Sequence, residues 1–220
     1  MSTEPQRPAG PPDAGTISAA LGGPLGVVES ALPAAAFTIA YTLSGSDQGL
    51  AALVALAIGG LLTVARLVRG QTLQYALSGV AGVGLAAFIV SRTGRAEDFF
   101  LPGLLINAAY AAGYAISILV GWPLLGVIIG SVTGQGMAWR KDPGQVRMYA
   151  RASWLWVGLF LLRLAVQLPL YLAGAVVALG TARVAMGIPL FALGIWLSWL
   201  IIRREHAAMA AAGAPPAAPA

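Results

Sequence analysis

Cysteine is absent from this chain, lysine occurs once, at Lys141, and histidine once, at His206. Without cysteine there are no disulfides, thiolate metal sites or cysteine nucleophiles. One histidine near the C-terminus leaves none for catalysis or metal binding inside the apolar body. No metal-ligand cluster is spelled out. No Walker motif exists either, because GVAGVG at Gly79–Gly84 lacks the Lys-Ser/Thr that a phosphate loop needs. Charge is also scarce, at 10% of 220 residues, where a soluble domain carries about 25%. A chain so poor in charge cannot cover itself for water, so lipid is the expected solvent. No gap between apolar runs is long enough to fold as a soluble domain. These absences point away from an enzyme, a cofactor, a metal and a nucleic-acid partner. The net charge of +5 needs no nucleic acid, since membrane proteins keep basic residues on the cytoplasmic side.

What is present is a succession of apolar blocks with the charges in the gaps. The blocks are Val28–Leu43, Leu50–Val68, Leu73–Val90, Phe100–Val120, Pro123–Ala138, Ala152–Leu179 and Arg183–Ile202. A helix needs about 20 apolar residues to cross a bilayer. Strand alternation is missing, so the expected fold is all-α, a polytopic helical bundle. Residues 1–16 are rich in Pro, Gly, Ser and Thr and are expected to be a disordered tail. Residues 17–206 form the expected membrane domain, and 207–220 an Ala/Pro-rich disordered tail.

Seven blocks need not mean seven spans. Basic residues collect on the cytoplasmic side, yet seven crossings put Arg66 and Arg69 opposite Arg140, Lys141, Arg147 and Arg151. The conflict disappears if Pro123–Ala138, short and carrying Ser131, Thr133 and Gln135, is a re-entrant or interfacial helix. Six crossings then place both termini in the cytoplasm, with nine basic residues inside and Arg92, Arg95 and Arg183 outside. Seven spans with an external N-terminus give eight inside and four outside. Six is the expected arrangement of this multi-pass cell-membrane protein, seven the alternative.

GGPLGVVESALP at Gly22–Pro33, TGRAEDFFLPG at Thr93–Gly103, and the WRKD and VQLPLY stretches carry a resemblance. With them, Gly22–Arg204 resembles an actinobacterial integral-membrane family catalogued only as a domain of unknown function, number three-one-five-nine. More distantly, ESALPAAAFTIAY at Glu29–Tyr41 and NAAYAAGYAISILVGWPL at Asn107–Leu124 resemble the bacterial intracellular septation protein A family. That second resemblance implies a short non-spanning helix after the Pro-Leu, a role in septation or envelope integrity, and no enzymatic activity. The fifth block departs from it by being more apolar and glycine-rich than a surface helix.

The polar residues inside the blocks are the candidate site. Arg163 lies about 15 Å into the sixth block, where a charge costs about 2.5–3.5 kcal/mol to insert. It should face the interior with a partner, such as Glu29, or contact an anion or headgroup. Gln167 shares its helix face. Glu29 is expected either to cap its helix or to pair with Arg163 or Arg66. Asn107, Tyr110, Tyr114 and Ser117 form one helical stripe, expected to line a cavity or to bond across helices. Gly126, Gly130 and Gly134 form a double GxxxG repeat for helix packing. Glu97 and Asp98 read as acids at a helix start. All six tryptophans lie near block ends and read as an interfacial belt.

The leading expectation is a non-enzymatic envelope or septation-related protein, acting by association with itself or other membrane proteins in the bilayer. The alternative is a small-solute or ion transporter or channel, resting on Arg163, Gln167 and the Asn107 stripe.

Overall fold

A computed structural model describes residues 23–70, 73–134 and 136–213, with residue 15 isolated before them. Among these residues the chain is helical throughout, without a strand. The helices are α1 (Gly23–Leu43), α2 (Gln48–Val68), α3 (Leu73–Thr93), α4 (Leu101–Leu119), α5 (Leu124–Val132), α6 (Pro143–Leu172), α7 (Val176–Ala185) and α8 (Ile188–Gly213). Short 3-10 turns at Ala96–Phe100 and Ala138–Lys141 lead into α4 and α6.

Local chemistry sets the boundaries. Asp47 caps α2 by accepting from the Leu50 amide at 3.0 Å. Asp142 caps α6 through the Gly144 amide at 2.8 Å, with Pro143 at the first helical position. Gly174, at φ 64°, ends α6 in a left-handed turn that only glycine adopts cheaply. The sequence places this boundary later, between Leu179 and Arg183, because hydropathy stays high through it. The structure moves it to 173–175, and Arg183 thereby passes from the outer start of the seventh block into the last turn of α7.

Four stretches are long and apolar enough to cross a membrane: Gln48–Val68, Ala96–Leu119, Pro143–Leu172 and Val176–Ala208. Ala31–Leu43 and Gly79–Thr93 are shorter apolar helices. The fifth block folds as the 9-residue α5, about 14 Å long against a hydrocarbon core of about 30 Å. The chain then turns back, and the Gly136 amide donates to the Gly130 carbonyl at 2.9 Å.

The helices pack around two cores. One joins α1, α2, α3, the first 3-10 turn and α7, with Phe37, Phe100 and Leu179 fully buried. Phe37 stacks on Phe99 at 4.0 Å and meets Phe100 edge-on at 5.7 Å. The other joins α4, α5, α6 and α8 around Trp139, Met148, Trp156 and Ile202. At Gly180, α7 crosses α1 so closely that a Cβ would overlap the Thr38 hydroxyl.

Two tryptophans depart from the expected belt. Trp139 is buried among α5 and α6, and Trp156 donates from Nε1 to Ser198 Oγ at 3.0 Å inside the second core. Shape explains both: small residues at Gly126, Gly130 and Gly194 make room for the rings. Trp122, Trp154 and Trp196 are exposed, as a belt requires. Most of the two expected tails lies outside the described residues, while α8 runs on to Gly213, past the expected boundary at His206.

Candidate functional site

Arg163 does not pair with Glu29. Its Nη2 donates to the carbonyls of Met186 and Gly187, at 2.7 and 3.0 Å. Those carbonyls belong to the break between α7 and α8, and the Gly187 carbonyl also accepts from the Phe191 amide at 3.2 Å. A guanidinium with five donors suits a site where two carbonyls converge in apolar surroundings. Arg163→Met is therefore expected to remove both bonds, take this donor from the Met186 carbonyl and destabilise the fold by about 1–3 kcal/mol. The thermal midpoint in detergent reads this, and an unchanged midpoint would give the carbonyls another partner.

Glu29 bridges two arginines of α2. Arg66 Nε approaches Oε2 at 2.6 Å, and Arg69 Nη1 approaches Oε1 at 2.7 Å. Arg66 was one of its two expected partners. The capping role is not available, because α1 begins at Gly23 and places Glu29 beyond the first turn.

The α4 stripe faces several ways. Asn107 donates to the Gly103 carbonyl of its own helix at 2.8 Å. Tyr110 stacks on Phe160 at 5.3 Å, and Tyr114 packs against Trp156 and Phe160. Ser117 Oγ accepts from the Leu124 amide at 3.1 Å and so caps α5. Gln167 is buried, and its Oε1 has no hydrogen-bond partner. Gly126 and Gly130 receive the rings of Trp139 and Tyr149, while Gly134 occupies a turn at φ 71°.

Glu97 pairs with Arg95 at 2.8 Å beside the start of α4. That bond, with Asp98 adjacent, raises the Arg95 guanidinium above its ordinary value and keeps it charged. Asp98, buried in the same turn, accepts from the Tyr171 hydroxyl at 2.6 Å and ties the turn to the end of α6.

The residue that sequence reasoning missed is Arg183. It extends from α7 over Gly103, where any Cβ would overlap its guanidinium. Its guanidinium lies over the Phe100 ring, at 6.0 Å. Four ion pairs occur among the described residues, at Glu29–Arg66, Glu29–Arg69, Arg95–Glu97 and Arg151–Glu205, and none includes Arg183 or Arg163. Arg183 lies about 10 Å along the helix from Val176. A cation there, without a carboxylate, is costly by several kcal/mol unless something compensates it.

Arg183 lines a cavity of about 310 Å³, open on one side and bordered by α1, α2, α3, α7 and the start of α4. Glu29 and Arg66 line it too, with Gly59, Thr63, Gly79 and Ala86 on its walls. The Gly79–Ala86 wall is about 10 Å of helix. Arg66 Nη1 lies where a Gly79 side chain would begin, 2.9 Å from that Cβ position. At about 30 Å³ per water, the volume holds roughly ten waters or one small anion with its hydration. Among the described residues, no group of three His, Cys, Asp or Glu could hold a metal ion.

Several helices long and apolar enough to cross a bilayer define the class: an α-helical protein of membrane-spanning type. The family model described as "Protein of unknown function (DUF3159)" matches residues 21–209, and the chain belongs to that family. No curated protein and no solved structure matches it.

Proposed function

We propose that the protein is a non-enzymatic multi-pass protein of the cell membrane that binds a small anion inside its bundle and passes it across the bilayer. The observation that carries this reading is Arg183, a cation without a carboxylate partner on the wall of a cavity between apolar helices. Counting the ionisable groups on that wall, Arg66 and Arg183 outnumber Glu29. In a low dielectric such an excess attracts an anion far more strongly than it would in water. In proteoliposomes the protein is expected to speed the exchange of nitrate or sulfate over protein-free vesicles. Rates equal to those of empty vesicles for both would contradict the reading.

Six crossings, by α1, α2, α3, α4, α6 and the broken pair α7–α8, accompany it, with both termini cytoplasmic. Support comes from the length of α5, the excess of arginine on one side and the return of the chain at Gly136. The missing cysteines make the test direct, since a single introduced cysteine labels without background. Ser46→Cys is expected to react with an impermeant maleimide from outside intact cells, and Thr133→Cys only after the membrane is opened. Ser46→Cys that reacts only after the membrane is opened would favour seven spans, which place that turn in the cytoplasm.

The septation or envelope role by association has its support in the resemblance of Glu29–Tyr41 and Asn107–Leu124. The unpaired arginine in the cavity favours the solute reading over it.

A further inference from the structure

The cavity has a feature that anion binding alone does not require. Its own carboxylate, Glu29, already sits on one of its guanidiniums. Glu29 touches Arg66 and Arg69 through one close contact each, leaving most of the donors of both guanidiniums unused by it. Glycine at position 79 lets the Arg66 Nη1 come close to α3, 2.9 Å from where a Cβ would stand, and Arg66 and Glu29 both border the cavity. A carboxylate and a free oxyanion are the same chemistry to a guanidinium: each offers paired oxygens to a planar fork. They therefore compete for one place.

We propose that Glu29 is a gating carboxylate. It occupies the oxyanion's position on Arg66 when the cavity is empty, and it takes up one proton when an oxyanion replaces it. This rests on the anion reading above.

The physical reason is displacement. Once an oxyanion takes Arg66, Glu29 is left on an apolar wall beside another negative charge. Both conditions favour its neutral form. The charged groups facing it are Arg66 and Arg69 of α2 and, along the cavity, Arg183 of α7. Where α3 and α4 line the cavity they bring Gly79, Gly82, Val83, Pro102, Gly103 and Ile106, none of them ionisable. At the far end of α8, Glu205 is held by Arg151, Arg203 lies over Trp199, and His206 bonds to the Ile202 carbonyl. With no second carboxylate among the described residues of the cavity wall, the proton goes to Glu29. Binding then balances as one oxyanion in and one proton in, the proton forming an O–H bond on Glu29 and leaving with the anion on the other side.

The test uses the full chain in proteoliposomes loaded with a pH-sensitive dye. Nitrate is the probe because it carries no proton of its own near neutral pH. Wild-type protein is expected to acidify the interior as nitrate enters, at about one proton per nitrate. Glu29→Gln is expected to carry nitrate with no acidification and with a rate that no longer depends on pH, and Glu29→Asp to restore coupling. Nitrate entry without proton entry in the wild type would overturn the gate and leave the anion reading intact. So would coupling that persists in Glu29→Gln. If Glu29→Gln fails to fold, the proton-to-nitrate ratio of the wild type decides alone. No nitrate entry at all, together with a phospholipid that extracts stoichiometrically with the pure protein, would assign the oxyanion to a lipid headgroup and overturn both.

Discussion

Arg183→Leu is expected to slow nitrate flux at least tenfold in vesicles where it inserts in wild-type amounts. A charge-assisted hydrogen bond is worth about 1.5–3 kcal/mol, and about 1.4 kcal/mol is a factor of ten in affinity. Removing the guanidinium takes away both the bond and the field that draws the anion in. Arg183→Lys keeps the charge but loses the planar fork, so its rate is expected to fall between the two. The stability readout has the opposite sign. Arg183 has no carboxylate to offset its desolvation, so leucine there is expected to raise the thermal midpoint. Loss of flux with a gain in stability marks a residue kept for its ligand. Loss of both would make Arg183 a packing element over Gly103 and Phe100.

Phe37→Ala has the largest expected effect on the fold. Phe37 is fully buried where α1 meets Phe99 and Phe100. In a soluble protein such a truncation costs about 3–5 kcal/mol, from lost transfer energy plus an unfilled cavity. Lipid removes most of the transfer part, because acyl chains are as apolar as the core. The packing part persists, which sets the expectation at about 2–3 kcal/mol. Unfolding in mixed micelles measures it. A loss below about 0.5 kcal/mol would mean that the aromatic cluster can collapse around the gap.

The apolar blocks and the arginines between them made the helical bundle legible, down to the short fifth helix. That part of the fold is set by hydropathy and length, which are one-dimensional. The Glu29–Arg66 pair was legible as one of two options, since a carboxylate and a guanidinium within apolar blocks each need a partner. Arg183 was not. The run from Ala152 to Leu179 stays apolar across the true turn, so hydropathy placed Arg183 at the outer start of the seventh block. The signal that was available is Gly174, the left-handed stop of α6. The α4 stripe shows the converse. Its spacing put Asn107, Tyr110, Tyr114 and Ser117 on one face, but spacing cannot say whether that face meets a cavity. Three of the four instead meet ring partners or cap α5. The GxxxG glycines were legible as close-approach positions. Which rings they receive depends on the chain turning back at Gly136, which no local pattern states.

The central claim is that an oxyanion sits against Arg183 inside the bundle. Anomalous diffraction from crystals grown with selenate tests it most directly. A selenium peak in the cavity within hydrogen-bonding reach of the Arg183 guanidinium, lost in Arg183→Leu, is the predicted result. Selenate found only at surface arginines such as Arg140 or Arg203, with the cavity empty, would contradict it.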